Sequence, residues 1–226
     1  MQLLLINGSP KGESGNSKGL LKLFLAGVDE TPGHTHEFVD LVREEEHARL
    51  VDLFAKADAV IFAFPLYTDM MPGIVKSFIE SLQPLCGKQG NPALGFIIQS
   101  GFPEAVHLRA LEAYLEKLSR RLGCRFLGTA LRGGGEVLQS VPPFFIRGFI
   151  NNVRALGRGF GSTGEFDARI IARLAGTEKQ SAPQRLHRML IDEPMTRLSF
   201  WYPKMRRNNA YAQRLARPYA DPPEGW

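Results

Sequence analysis

The chain alternates between short apolar runs and segments whose apolar residues recur at helical spacing. The apolar runs predict five buried strands, at 2–6, 35–41, 59–64, 93–99 and 124–131. Between these runs, apolar residues three or four positions apart predict four amphipathic helices. The run at 59–64 is the most strand-like of the five, and it ends at Pro65. Strict alternation of strands and helices with short connections favours a parallel sheet covered by helices on both faces.

Five strands within about 130 residues suit a doubly wound sheet with the strand order 2-1-3-4-5, because right-handed crossovers leave few alternatives. We therefore predict a sheet domain over residues 1–140. The remainder, residues 141–226, is predicted to be a helical extension packed on that domain. A short helix is expected at 186–191, followed by an irregular tail from Pro194 onward.

The charge distribution separates the same two parts of the chain. Residues 1–140 carry 14 basic and 16 acidic side chains, a net charge of −2, whereas residues 141–226 carry 14 and 7, a net charge of +7. Four interpretations of the basic part remain open. They are an ordinary solvated face, an anionic membrane surface, an acidic partner protein, or the phosphates of a dinucleotide.

The composition is that of a soluble globular protein, with 226 residues, 44% hydrophobic and 23% charged. The first apolar run is too short for a spanning helix and lacks the basic flank of a signal peptide. Two cysteines, Cys86 and Cys124, form no disulfide framework, so we expect a reducing cytoplasm and interpret both as small packing residues. His34 and His36 lie close together without further ligands, and we expect no metal.

The connection after the first strand carries the strongest functional signal. It is rich in Gly and Ser over 7–17 and leads directly into a helix, whose free N–H groups and partial positive charge favour a phosphate. Further donors are supplied by Ser9, Lys11, Ser14, Asn16 and Ser17. The spacing fits neither the Walker A nor the G-x-G-x-x-G pattern. The alternative is that Ser14 or Asn16 simply caps the helix.

The connection after the third strand is the second candidate site. In open α/β sheets, ligands bind outside the carboxyl ends of the strands, where the loops after the first and third strands are neighbours. A planar apolar ligand edge is expected to rest on Pro65, Leu66 and Tyr67, with Thr68 beside them. Alternatively, this loop only packs on its own helix.

Together the two loops resemble the NADPH-dependent FMN reductase and flavodoxin-like oxidoreductase family. The similarity covers residues 1–135 and is carried by GSPK at 8–11, GNS at 15–17, PLY at 65–67 and MPG at 71–73. It implies a flavodoxin-like fold, with the FMN phosphate at the first loop and the flavin ring at the second. It implies further flavin contacts at Ser100, Gly101, Phe102 and Gly134. An iron–sulfur cysteine motif found in some relatives is missing, since residues 40–65 contain no cysteine.

The resemblance implies an oxidoreductase that passes hydride from NADPH or NADH to bound FMN, and on to a quinone, a flavin or a similar small acceptor. A homodimer is expected, without a nucleic-acid partner. We name no catalytic residue, because this chemistry requires positioning more than a protein acid or base. Two alternatives remain: a flavodoxin-type electron carrier without its own nicotinamide site, and a flavin-free binding protein. The net charge of +5 argues against the carrier, since such carriers are acidic.

Overall fold

The first strand of the chain lies near the centre of a five-stranded parallel sheet. The computed structural model describes residues 1–43, 47–135 and 144–216. Its strands are β1 Gln2–Asn7, β2 Thr35–Asp40, β3 Ala59–Pro65, β4 Ala93–Gln99 and β5 Phe126–Arg132. Their spatial order is β2-β1-β3-β4-β5, with every neighbouring pair parallel, which confirms the predicted topology. All seven residues of β4 are buried, as expected for a strand covered on both faces.

Helices cover both faces of this sheet. They are α1 Asn16–Val28, α2 His47–Lys56, α3 Gly73–Ser81, α4 Val106–Leu122, α5 Arg147–Thr163 and α6 Ala168–Ala175. On one face, α2, α3 and α4 enclose an apolar cluster that includes Phe54 and Phe78. On the other face, α1, α5 and α6 enclose a second cluster that includes Phe24 and Phe160. The sheet therefore has two apolar layers, one on each face.

Helices α1 and α5 approach each other closely because glycines lie at their contact. A Cβ added at Gly27 would overlap the carbonyl oxygen of Arg154, and one added at Gly157 would overlap that of Phe24. Beside this contact, the ring of Phe160 lies 5.6 Å from that of Phe24, centroid to centroid. At the rim, hydrogen bonds from Arg158 and Arg154 lower the pKa of Glu30 to about 2. Backbone proximity, an aromatic cluster and an exposed ion-pair group thus hold α5 on α1.

The chain divides into two compact units, Met1–Lys179 and Gln180–Trp226. The first unit includes α5 and α6, which pack against α1 and β5. The domain boundary predicted at residue 140 lies outside the described residues, and it stays a prediction.

Most of the described part of the second unit, residues 180–216, is a continuous helical segment over residues 182–207. It consists of α7 Ala182–His187, a π-helical turn Arg188–Asp192, α8 Glu193–Thr196, a second π-helical turn Arg197–Trp201 and α9 Tyr202–Arg207. Ser181 begins it with a capping box completed by Gln184. A short 3-10 turn follows at Tyr211–Gln213. No described residue of this unit is buried.

The prediction of an irregular tail from Pro194 onward is therefore wrong, because the helix continues to Arg207. Pro194 and Pro203 each lie in the first turn of a new α-helical stretch, close behind a π-helical turn. There the hydrogen-bond ladder already shifts register, so a proline disrupts it less than in a regular helix interior. Within the described residues, every helix is too short or too polar to span a bilayer.

Candidate functional site

Three loops meet at the carboxyl edge of the sheet and enclose a cavity of about 260 Å³. They follow β1, β3 and β4, the three central strands of the sheet. The cavity is lined by Ser9, Lys11, Ser14, Gly15, Asn16, Pro65, Leu66, Tyr67, Gln99, Ser100 and Gly101. The two loops that sequence reasoning singled out therefore face the same space.

Asn7, the last residue of β1, organises the first loop from below. Its amide Nδ2 donates to the carbonyl of Gly12 at 3.0 Å and to Oδ1 of Asp40 at 2.6 Å. Its Oδ1 accepts from the backbone N–H of Ser9 at 3.2 Å. Asn7 is fully buried, so these hydrogen bonds compensate the loss of water around its amide. One side chain thereby joins the start of the loop, its middle and the end of β2.

A partly buried ion-pair group braces the same loop. The ammonium of Lys18, in the first turn of α1, lies 2.7 Å from the carboxylate of Asp40 and also pairs with Glu13 in the loop. Burial alone would raise the pKa of Asp40, but hydrogen bonds from Lys18 and Asn7 outweigh it and hold that pKa below its usual value. Burial lowers the pKa of Lys18, and its hydrogen bonds to Asp40 and Glu13 more than reverse this, so the pKa is raised. Both groups are stabilised in their charged forms.

The N-terminus of α1 faces the cavity without a side-chain cap among the described residues. Its N-cap is Gly15, which has no side chain to accept from the first turn. Ser14 Oγ donates instead to the carbonyl of Lys11 at 2.9 Å, and Asn16 Nδ2 donates to the carbonyl of Gly135 at 2.7 Å. The interpretation that Ser14 or Asn16 merely caps this helix is therefore wrong.

The first turn of α1 also contains an orphaned hydroxyl. Ser17 is buried, and its Oγ has no hydrogen-bond partner among the described residues. The ammonium of Lys11, on the exposed side of the loop, has no ion-pair partner within the described part of the chain. Unsatisfied N–H groups, an orphaned hydroxyl and an uncompensated cation all favour an anion at this position.

The second loop is tied to the third by its backbone. The N–H of Leu66 donates to the carbonyl of Gln99 at 2.6 Å. Tyr67 and Met70 then exchange backbone hydrogen bonds of 2.8 and 3.0 Å across a tight turn. The two residues within that turn, Thr68 and Asp69, have φ values of 48° and 60°. Left-handed backbone is strained for a β-branched residue, so the turn holds Thr68 against its preference.

The loops after β4 and β5 interlock behind the cavity. Ser100 Oγ donates to the carbonyl of Phe102 at 2.9 Å, and the N–H of Gly134 donates to the same carbonyl at 2.8 Å. A Cβ at Gly135 would overlap the side-chain oxygen of Gln99. That oxygen is buried without a hydrogen-bond partner among the described residues, although Gln99 lines the cavity. Gln99 thus lines the cavity, while its side-chain oxygen is buried against Gly135.

Nine of the residues predicted for the site line this cavity: Ser9, Lys11, Ser14, Asn16, Pro65, Leu66, Tyr67, Ser100 and Gly101. The structure places Ser17, Thr68 and Phe102 in the same loops or helix turn, and Gly134 in the loop after β5, but none of the four in the lining. Sequence reasoning missed Gly15 and Gln99. The position of Gln99, a polar residue ending a fully buried strand, was the available signal.

Neither cysteine contributes to this site. Cys124 is buried, and desolvation raises the pKa of its thiol to about 12. Cys86, predicted to be a packing residue, is exposed, so that interpretation is wrong. No group of three or more His, Cys, Asp or Glu in the described residues is arranged to hold a metal ion.

The comparisons with known proteins agree with this architecture. A family model described as a flavodoxin-like fold matches residues 1–83. No curated protein matches this chain by sequence. The topology, the sheet order and this match show that the chain has a flavodoxin-like fold.

Several solved structures have a similar fold at low sequence identity. An NAD(P)H:quinone oxidoreductase from Methanothermobacter marburgensis is 17% identical with a TM-score of 0.59, over 71% of this chain and 96% of its own. An FMN-dependent NADH-azoreductase from Bacillus anthracis, in complex with FMN, is 17% identical with a TM-score of 0.55, over 71% and 97%. An apo NADH:FMN oxidoreductase (EMOB) is 17% identical with a TM-score of 0.54, over 81% and 93%.

Proposed function

We propose that this protein is an FMN-dependent NAD(P)H oxidoreductase that passes hydride from a nicotinamide to bound FMN, and on to a quinone, a flavin or a similar small acceptor. When bound, FMN supplies a ring system that accepts a hydride and returns it. The protein supplies the binding site, the orientation of the ring and the exclusion of water. A homodimer and a cytoplasmic location belong to the same proposal.

The observation that carries this proposal is the uncapped N-terminus of α1, which opens into the cavity between the three loops. A phosphate monoester matches it, because the helix end presents N–H groups and a partial positive charge. Ser9 and Ser14 add hydroxyls at the cavity wall, and Lys11 adds a cation. The brace formed by Asn7, Asp40 and Lys18 keeps this loop in place before a ligand arrives.

The rest of the cavity suits the remainder of FMN. The backbone and side chains of residues 65–67 offer an apolar edge, and the exposed ring of Tyr67 extends it at the mouth. Gln99 and Ser100 add polar side chains to the cavity wall, and a flavin ring carries polar groups along one edge. About 260 Å³ lies slightly below the usual range of small-molecule sites, roughly 300–1,000 Å³. We therefore place the phosphate and ribityl chain inside the cavity and the ring along the second loop.

The low-identity structural neighbours named as FMN-dependent or NAD(P)H-dependent reductases support this proposal by analogy of fold. The experiment that tests it is an anaerobic titration of the FMN-loaded protein with NADH and with NADPH, followed by absorbance near the flavin band. We expect full bleaching by at least one nicotinamide, and return of the colour on adding a benzoquinone. A protein that holds FMN but is not bleached by either nicotinamide would instead be an electron carrier.

The phosphate site has its own test in Lys11→Gln. Because the Lys11 ammonium has no ion-pair partner within the described residues, its removal leaves no buried charge behind. We expect FMN affinity to fall by about tenfold, the size of one charge-assisted contact, and riboflavin affinity to stay unchanged. Lys56→Gln, at the end of α2, is the matched control and should leave both affinities unchanged. Equal loss of FMN and riboflavin binding in Lys11→Gln would contradict the placement of the phosphate.

A further inference from the structure

Residues 182–207 form a helical segment whose apolar side chains are exposed. Large apolar residues recur every three to five positions along it, at Leu186, Leu190, Met195, Leu198 and Trp201, each between 43% and 64% exposed. Spacings of three to five residues bracket one helical turn in a segment that contains two π-helical turns, so we call these five residues its exposed apolar face. Soluble proteins rarely leave so many large apolar side chains in water, so this face is expected to contact a partner.

The polar positions of the same segment are strongly basic. Residues 182–207 contain six Lys and Arg against two Asp and Glu, whereas residues 1–179 carry 20 against 19. A second copy of this segment would bring two basic surfaces together, and a second copy of residues 1–179, with a net charge of +1, has no net negative charge to attract it. The charge of the segment therefore favours a partner that is anionic over a wide surface.

The aromatic residues near the end of the segment are paired with cations. The ammonium of Lys204 lies 4.9 Å from the ring centre of Phe200 and 5.9 Å from that of Trp201. The guanidinium of Arg206 lies 4.6 Å from the ring centre of Tyr211. Aromatic rings next to basic groups suit the boundary between acyl chains and headgroups, where rings and cations lie at the same depth. An acidic protein with an apolar groove would also bind a basic amphipathic helix, and the rings set among cations are what favour the lipid surface here.

We propose that residues 182–207 bind an anionic lipid surface, with the helix lying in the plane of the membrane. The exposed apolar face enters the headgroup region, and the basic side chains contact lipid phosphates. At 26 residues the segment is roughly 35–40 Å long, long enough to lie flat across several lipids. A cluster of six basic residues is in the range that holds peripheral proteins on anionic lipid. This inference does not depend on the flavin proposal.

The test is flotation of the full-length protein with phosphatidylcholine vesicles, with or without about 30% phosphatidylglycerol. We expect at least tenfold tighter binding to the anionic vesicles, and weakening when salt rises from roughly 0.1 to 0.5 M. Arg206→Gln with Arg207→Gln should weaken binding several-fold. The charge-matched control, Lys88→Gln with Arg121→Gln in the first unit, should not.

The apolar face is tested by two double variants, each of which replaces one leucine and one tryptophan by serine. Leu198→Ser with Trp201→Ser should weaken binding to anionic vesicles at least tenfold, and Leu215→Ser with Trp226→Ser should leave it unchanged. The second variant keeps Trp201 as its single tryptophan, so its emission should shift to the blue on adding anionic vesicles and become protected from iodide.

Three results would overturn the proposal. The first is equal binding to neutral and anionic vesicles, or none to either. The second is unchanged binding in Leu198→Ser with Trp201→Ser, which would reduce the segment to a charged surface such as an acidic protein would recognise. The third is a drop in oligomer mass in that same variant, measured by sedimentation equilibrium, which would assign the face to a second copy of the chain.

Discussion

The two units of this protein use apolar residues in opposite ways. In residues 1–179 the large apolar side chains of the strands and helices fill two layers, and many are completely buried. In residues 180–216 the helical segment has a comparable apolar periodicity, but no described side chain is buried. Periodicity therefore identifies an amphipathic helix without identifying what covers its apolar face. The difference also locates the folding free energy, which we assign almost entirely to the first unit.

The largest expected effect comes from truncating a buried ring in the first unit. Phe160 is completely buried on α5 and contacts the rings of Phe24 and Phe166. We expect Phe160→Ala to lower the free energy of unfolding by about 3–5 kcal/mol, because it loses apolar burial and leaves a cavity. Leu198→Ala, at an exposed position of the helical segment, should change it by less than about 0.5 kcal/mol. Urea unfolding followed by circular dichroism measures both values, and similar losses in the two variants would contradict the contrast.

The contrast between packed and exposed positions can also be tested within α5, at one glycine that contacts α1 and one that does not. A methyl group at Gly157 would overlap the backbone of α1, whereas one at Gly159 meets nothing within 4 Å. We expect Gly157→Ala to cost about 1–3 kcal/mol, because the helices must move apart. Gly159→Ala should stabilise by up to about 1 kcal/mol, since alanine favours the helix. Thermal unfolding of the two variants compares them directly, and the same sign in both would exclude this helix contact.

The next largest effect is expected from breaking one ion pair in each unit, because the two pairs should contribute differently to the free energy of unfolding. Asp40→Asn removes the partly buried partner of Lys18 and should cost about 1–2 kcal/mol at neutral pH. Glu193→Gln, which breaks an exposed pair with Arg197, should cost less than about 0.5 kcal/mol. Chemical unfolding at neutral pH gives both values. A cost for Glu193→Gln equal to that for Asp40→Asn would argue against a special role for the brace.

The Asp40 pair also has a pH signature. The folded pKa of Asp40 lies below its ordinary value of 3.8, so the stability it contributes is present above that value and is lost as pH falls through the folded pKa. The folded pKa of Lys18 lies above 10.5, so its contribution is present below 10.5 and is lost as pH rises through the folded pKa. Asp40→Asn should therefore flatten the acid limb of the stability curve. An unchanged acid limb would contradict the depressed pKa.

The smallest expected effect is a stabilisation. Thr68 has a φ of 48°, which is strained for a β-branched residue, and Asn209 in the second unit has a φ of 55°, which asparagine tolerates. We expect Thr68→Gly to raise the free energy of unfolding by about 0.5–1 kcal/mol and Asn209→Gly to leave it unchanged. Differential scanning calorimetry resolves a change of this size. A loss of stability in Thr68→Gly would show that its side chain contributes more than the strain costs.

Most of the fold followed from the sequence because strand and helix periods alternate without interruption up to β5. The meeting of two candidate loops also followed, since parallel strands bring their carboxyl ends to one edge. The brace did not, because Asn7, Lys18 and Asp40 lie far apart in sequence and meet only through the pairing of β1 with β2. The helix through Pro194 was not predicted because proline normally ends a helix. The π-helical turns that accommodate it have no recognisable sequence pattern.

The most direct test of the central claim is a fluorescence titration of the flavin-free protein with FMN and, in parallel, with riboflavin. If the loop after β1 holds the phosphate, two or more charge-assisted contacts are made by FMN alone. We expect FMN to bind at least about 100-fold more tightly than riboflavin, the ratio that ~3 kcal/mol provides. Equal affinities, or no binding of either flavin, would contradict a phosphate site at the N-terminus of α1.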